Sequence, residues 1–298
     1  MFSIAICSVN DFYLARLKDN IAKTIGVPFE ILIWENREMN IPLADVYNQL
    51  GDKAIYPYII FMHEDIIFMS EGWGNELARI FSDQTISLIG LAGSKYKSKN
   101  ISGWYSGTEE DNYYNITHRT NCSEILLRNP LVWENSEIDV LTIDGVFMAS
   151  RRSTFQKIRF DATLLRGFHF YDIDFSLRTS INSRVVVTNS IHIVHETKGG
   201  DFGKEWLKYA IAFHRKYSGN LPMSINAVNY PEKEMITAKY WTDYLKKENL
   251  STSDKLKYIV NEKYLFFPSL WYNILKLMLY RPFGVYKLHT LIKQLKPT

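Results

Sequence analysis

The sequence predicts an α/β protein: a mainly parallel sheet flanked by helices, followed by a helical C-terminal extension. Three observations carry this expectation. Apolar runs of strand length alternate with segments of helical spacing from residue 2 to residue 92. Those runs are continuous rather than alternating, as in strands buried on both faces. The last third loses such runs and keeps only helical spacing.

Phe2–Val9 reads as the first strand. Asp11 can cap a helix whose apolar positions Leu14, Leu17, Ile21 and Ile25 share one face, and Gly26 and Pro28 end it. Phe29–Trp34 is a second strand with Glu35 and Asn36 at its end. Pro42 suits the first turn of a short helix, Leu43–Leu50, closed by Gly51. Tyr58–Met62 is a third strand. It stops abruptly at His63-Glu64-Asp65, and a second apolar run, Ile66–Phe68, follows. Trp73, Leu77, Ile80 and Phe81 mark a third helix and Ile86–Ala92 a fourth strand, giving β-α-β-α-β-α-β.

Residues 94–136 break that rhythm. They are rich in Tyr, Trp, Ser, Asn and Gly, and their length and aromatic content suggest a functional lid. Ile138–Ser150 is strand-like and carries Asp144-Gly145. Gly167–Asp174 (GFHFYDID) leads into a helical stretch, Phe175 to Ile181, and Arg184–Val194 reads as one more strand with His192 and His195 near its end. Glu205–Tyr217 and Ala238–Glu248 look helical. The expected division is a catalytic domain over 1–203 and a helical extension over 204–298.

With 298 residues, 46% of them hydrophobic, the chain can bury a large core. Its 19 Tyr and 17 Phe can serve that core or form platforms for sugars. Two cysteines, Cys7 and Cys122, argue against a disulfide framework or a cysteine-based zinc site. The first residues have no basic flank, so no signal peptide is expected. Charge is uneven. Residues 255–298 hold eight Lys/Arg against one acid, which is +7; removing this from the overall +3 leaves about −4 for the rest. That asymmetry suits a tail on an anionic surface and not a nucleic-acid-binding core.

The chemistry concentrates at strand ends. Carboxylates where a parallel strand stops lie at the sheet edge where α/β ligand crevices form, and an acidic pair there suits a hard divalent cation. The order of features is an acid after strand two (Glu35), the triplet His63-Glu64-Asp65 after strand three, Asp144-Gly145, the Phe168–Asp174 segment, then His195. In that order the sequence resembles a GT-A-fold glycosyltransferase of the family 2 type, within it the streptomycin-biosynthesis-type bacterial branch, over roughly residues 2–200.

The resemblance implies a nucleotide-sugar donor, Mn2+ or Mg2+, and inverting transfer to a hydroxyl of a saccharide or lipid-linked saccharide acceptor. Asp65 matches the residue that holds metal and diphosphate. The family's first Asp is replaced by His63, which becomes a ligand or a donor to a phosphate, with Glu64 beside it. His195 matches a histidine placed on the metal, and Lys198 with Gly199-Gly200 either folds over the diphosphate or forms an ordinary turn. Glu35 and Asn36 match the nucleobase or ribose site, with Ser8 and Asn10 nearby. Asp172 matches the general base. Asp174, two residues on, would point elsewhere on a helix. Tyr171 stands where an acid usually precedes the base. With Asp144, Gly145 and Asp174 it belongs to the acceptor side, where Trp104 and Tyr105 are candidates for stacking on sugars.

Two other functions compete. A sugar nucleotidyltransferase would need a Gly-rich basic loop after strand one, and Ser8–Phe12 has none. A non-catalytic carbohydrate-binding protein need not keep Asp65, Asp172 and His195 together. The stripe in Phe266–Leu279 is too short to span a membrane but fits an interfacial helix, and equally one packed on the domain or on a second copy of the chain. The expected location is the cytoplasm, at or near the inner face of the membrane.

Overall fold

The computed structural model describes residues 1–120, 123–128, 133–196, 202–248 and 250–261. The first half alternates as expected: β1 (Phe2–Ser8), α1 (Asp11–Thr24), β2 (Phe29–Glu35), α2 (Leu43–Lys53), β3 (Tyr58–Met62), β4 (Ile66–Phe68), α3 (Trp73–Ile80) and β5 (Ile86–Gly90). Then come β6 (Ala92–Ser94), β7 (Tyr96–Lys97), β8 (Asn112–Thr120), β9 (Ser123–Arg128), β10 (Glu137–Asp139), β11 (Thr142–Ile143) and β12 (Phe147–Arg151). The remainder is α4 (Arg152–Ile158), α5 (Tyr171–Ser180), β13 (Arg184–Thr188), β14 (Ile193–Glu196), α6 (Lys204–Lys216), β15 (Met223–Ser224), α7 (Tyr230–Leu245) and α8 (Thr252–Asn261).

The central sheet has seven strands in the order β10-β13-β5-β12-β3-β1-β2. Five run in one direction; β12 and β10 run against them. Both faces are covered. Along β1, Phe2, Ile4 and Ile6 enter one apolar cluster while Ala5 and Cys7 enter the other. Each fully buried apolar side chain of this size contributes about 1.5–3 kcal/mol, which is why continuous apolar runs become central strands.

Four sequence expectations need correction. Asn10, not Asp11, caps α1: its side chain accepts from the N–H groups of Phe12 and Tyr13. Gly51 does not close α2, which runs on to Lys53. It is there because a β-carbon would stand 2.3 Å from the Phe155 ring. Residues 94–136 are not a lid among the described residues. They supply β7, β8 and β9 and pack under α7, where Trp241 Nε1 donates to the Tyr105 carbonyl at 3.1 Å. Arg184–Val194 is two strands, not one. The chain leaves the central sheet after Thr188 and re-enters a second sheet at Ile193.

That second sheet has the order β11-β6-β8-β14-β4, with β9 on β8. Helices α6, α7 and α8 share an apolar cluster with α5, in which Trp206 and Trp241 stack at 5.0 Å and Phe170, Ile173 and Leu177 take part. No helix among the described residues is long and apolar enough to cross a membrane. The Phe266–Leu279 stripe lies outside the described residues.

Candidate active site

Strand β3 ends at Met62, and the next three residues point in different directions. Asp65 stands where β4 begins, and β4 pairs antiparallel with β14 so that Ile66 faces His195. This register brings His195 Nε2 to 3.2 Å from Asp65 Oδ1, while His63 Nδ1 lies 3.9 Å from the same oxygen. One ligand atom from each of His63, Asp65 and His195 can be chosen so that all lie within 4.8 Å of one another. Burial, followed by the charge of His195, holds the His63 imidazolium below its usual range. Burial pushes Asp65 upward, but the hydrogen bond from His195 and the charges of both histidines outweigh it and leave the carboxyl below its usual range. A neutral imidazole and an ionised carboxylate are the forms that bind metal, so this donor set fits a divalent cation.

Glu64 turns the other way. Its carboxylate accepts from Ser8 Oγ at 2.6 Å and from the backbone N–H groups of Val9 and Asn10 at 3.0 and 3.2 Å. Ser8, Asn10 and Glu64 therefore build the turn from β1 to α1, and the structure does not leave them free for a donor. Asn36 is likewise occupied: it donates to the Ile41 carbonyl and accepts the Ile41 N–H, closing the turn after β2. Glu35 is exposed at the end of β2, opposite Ser8. Lys198 lies outside the described residues.

The second corner is built on the turn between β11 and β12. Gly145 N–H donates to Asp172 Oδ2 at 2.8 Å, and Asp144 Oδ1 accepts the Val146 N–H at 2.8 Å. Only glycine fits at 145, since a β-carbon would stand 2.1 Å from the Tyr171 hydroxyl and 3.1 Å from the Asp172 β-carbon. Burial first, then the like charge of Asp144, pushes the Asp172 carboxyl up to about 7, against the opposing pull of backbone N–H groups. A carboxyl so poised can accept a proton near neutral pH.

Tyr171 joins the two corners. Its hydroxyl lies 3.4 Å from His63 Nε2 and 3.4 Å from the Gly145 carbonyl. It is buried and offers no surface to an acceptor. Asp174 also leaves the acceptor side. It is fully buried and paired with Arg178 at 2.6 Å and Lys216 at 2.5 Å, and it accepts from Tyr217 Oη at 2.8 Å. Trp104 and Tyr105 are half-buried in an aromatic group with Tyr114 and Tyr240. Ladder pairing relates this group to the turn: Asp144 N–H donates to the Ala92 carbonyl, and Ala92 pairs with Tyr114. Tyr114 therefore stands two strand spacings from Asp144, about 10 Å.

One site residue was missed from the sequence. His118 on β8 pairs in register with His195, and their rings lie 5.3 Å apart, extending the file His63–His195–His118. Nothing local in the sequence marks it; only strand pairing puts it there.

A family model described as a glycosyltransferase-like family matches residues 4–217. The chain belongs to this glycosyltransferase-like family. No curated protein matches it in sequence. Among solved structures, this glycosyltransferase-like chain resembles residues 1–349 of S. aureus TarS, with a TM-score of 0.54 and 11% identity over 93% of this chain and 88% of that one. It spans 44% of the longer TarS chain that it also matches. The mannosyltransferase PcManGT from Pyrobaculum calidifontis, solved with GDP-Man and Mn2+, is similar at 9% identity and a TM-score of 0.49, over 99% of this chain and 86% of that one. The fold is that of a GT-A glycosyltransferase: a mostly parallel sheet between helices, as the sequence predicted.

Proposed function

We propose that this chain transfers a sugar from a nucleoside-diphosphate donor to a hydroxyl of a saccharide acceptor, with inversion and with the help of a divalent cation. The observation that carries the reading is the pairing of two differently tuned corners through Tyr171. His63, Asp65 and His195 would hold the cation, Mn2+ or Mg2+, which when bound supplies Lewis-acid neutralisation of charge on the departing diphosphate. Asp172 takes the acceptor proton as the new bond forms; its Oδ2 is aimed by the Gly145 N–H and its proton affinity is raised by burial and by Asp144. One carboxylate base and a direct displacement suffice for inversion. Exposed Glu35 is the remaining candidate for the nucleoside end of the donor.

The acceptor proposed is a saccharide or lipid-linked saccharide of a bacterial surface polysaccharide, lying across Asp144 towards Trp104 and Tyr105. The basic segment 255–298 supports a chain that works in the cytoplasm against the anionic inner face of the membrane, singly or as a homo-oligomer. Nucleotide-sugar donors screened by thermal shift with manganese test the donor side. A donor that raises the melting temperature only with metal, and releases its nucleoside diphosphate, supports the reading. No response across uridine, guanosine, thymidine, cytidine and adenosine diphosphate sugars would overturn it. Liposome flotation tests the membrane side. Because α8 packs into the core through Tyr258 and Ile259, the truncation is placed after Asn261. Full-length protein should float with anionic vesicles at low salt and the truncated chain should not; equal behaviour removes the proposal.

A further inference from the structure

Each carboxylate or imidazole that faces the metal corner has a neighbour in sequence that faces away and ties the strand down. Glu64 does so for Asp65. For His195 the neighbour is Glu196, and its surroundings are more elaborate. Arg16 of α1 reaches the Glu196 carboxylate with two nitrogens, at 2.6 and 2.9 Å. Arg119 of β8 reaches it at 3.3 Å. The backbone adds a third attachment, since Glu196 N–H donates to the Asp65 carbonyl at 2.8 Å. The Glu196 carboxylate thus joins α1 and β8 to its own strand β14, at the residue that follows a metal-corner histidine and whose N–H bonds the backbone of a metal-corner aspartate.

The arrangement follows from register. His195 pairs with His118, so Glu196 pairs with Arg119, and the two pairs lie on opposite faces of the sheet. The imidazole face is turned to Asp65 and the charged face to Arg16 of α1. Arg16 is braced in turn by the rings of Phe12 and Tyr13, 5.4 and 5.3 Å from its guanidinium carbon. The Glu196 side chain is only 16% exposed, and its carboxyl is held below the usual range by Arg16 first, against some opposition from burial, with Arg119 assisting. Charge-assisted bonds to a largely enclosed carboxylate are among the stronger polar contacts available; Arg16 Nη1 makes the hydrogen bond and Nη2 adds a close ion contact.

We propose that the Arg16–Glu196–Arg119 cluster is a positioning clasp that holds His195 in ligating register with Asp65, and so sets cation affinity without touching the cation. This rests on the reading of His63, Asp65 and His195 as a metal site. The three donors do not all touch one another. His195 Nε2 is 3.2 Å from Asp65 Oδ1 and His63 is 3.9 Å away, so small rotations of β14 change the spacing a cation would meet. The clasp resists that rotation from the far face of the sheet. Residues that orient metal ligands from behind typically alter metal affinity by about 10–100-fold when changed.

The probe is Mn2+ alone, titrated calorimetrically into the full chain. Glu196→Gln keeps shape and removes charge; Arg119→Met acts at a more exposed position and serves if the first variant does not fold. Both should bind Mn2+ roughly 10–100-fold more weakly than the wild type at a temperature where each variant is fully folded. Glu196→Gln, which leaves two arginines without their carboxylate, should also lower the metal-free melting temperature, and Arg119→Met should lower it less. Arg119→Lys should recover part of the affinity. Unchanged Mn2+ affinity in the folded variants overturns the clasp, as does a loss of affinity that only tracks loss of folded protein. Failure of the wild type itself to bind Mn2+ overturns the metal-site reading, a separate result seen before any variant is compared.

Discussion

The metal corner and the base corner are joined by Tyr171 and are both largely buried, yet they leave their carboxylates in opposite states. Asp65 sits among two histidines and is held ionised. Asp172 sits beside another carboxylate and is pushed towards protonation, up to about 7. Burial acts upward on both; the neighbour decides the outcome. The comparison teaches that depth alone says little about a buried acid. A second contrast within α5 makes the same point. Asp174, two residues beyond Asp172 and fully buried, has Arg178 and Lys216 as partners and serves the fold.

The largest effect expected from breaking this comparison is at Asp65. Asp65→Asn should bring cation-dependent transfer down to background while circular dichroism shows a native fold. Wild-type turnover by the folded variant would remove Asp65 from the metal corner.

Next is Asp172. Asp172→Asn should slow transfer by roughly 10²–10⁴-fold with donor affinity little changed. The same variant should be more stable than the wild type at pH 8, by a few degrees in melting temperature. The sign follows from the raised carboxyl: the folded state holds this proton more tightly than the unfolded state. Stability from it is present at low pH and lost as pH rises from about 4 through about 7. At pH 4 the two proteins should be alike in this respect. Lost donor binding would place Asp172 on the donor side instead.

Asp174 should show the reverse pattern. Asp174→Asn strands two cations and should cost about 3 kcal/mol of stability, the low end for a broken buried pair because Arg178 and Lys216 keep some solvent contact. The protein that remains folded should keep its turnover. A selective loss of turnover without loss of stability would return Asp174 to the acceptor side.

The smallest effect is on pH dependence. Transfer should rise with pH as Asp172 ionises, with a midpoint near 7, and Asp144→Asn should move that midpoint down because a like charge is removed. A profile already flat from pH 5 would contradict the raised carboxyl of Asp172, and a midpoint unmoved in Asp144→Asn would contradict the role of Asp144.

The first half of the fold was legible in the sequence because its signals are local. Continuous apolar runs gave β1, β2, β3 and β5, and helical spacing gave α1, α2 and α3, within a few residues. The second sheet was not legible. Strands such as Asn112–Thr120 mix Tyr, Asn, Thr and His and gain their stability from pairing with distant segments, which a local pattern does not reveal. Among site residues, Asp65, Asp172 and His195 were legible because they stand at element ends. His118 and the Glu196 clasp were not, because strand register creates them. Glu64 and Asp174 were recognised as acids, but their direction depends on partners as far away as Ser8 and Lys216. The expectation that Asp174 would leave the face of Asp172 came from helix geometry alone, and the structure places it against Lys216 and Tyr217.

The central claim is that Asp172 is tuned for proton acceptance by its burial and by Asp144. The most direct measurement is a carbon-13 NMR titration of the aspartate carboxyls in the metal-free protein, with Asp172 assigned from Asp172→Asn and the titration repeated in Asp144→Asn. The account predicts one carboxyl titrating at about 7, missing from Asp172→Asn and shifted down in Asp144→Asn. An Asp172 signal that titrates in the ordinary carboxylate range near 4, or one indifferent to Asp144, would contradict it.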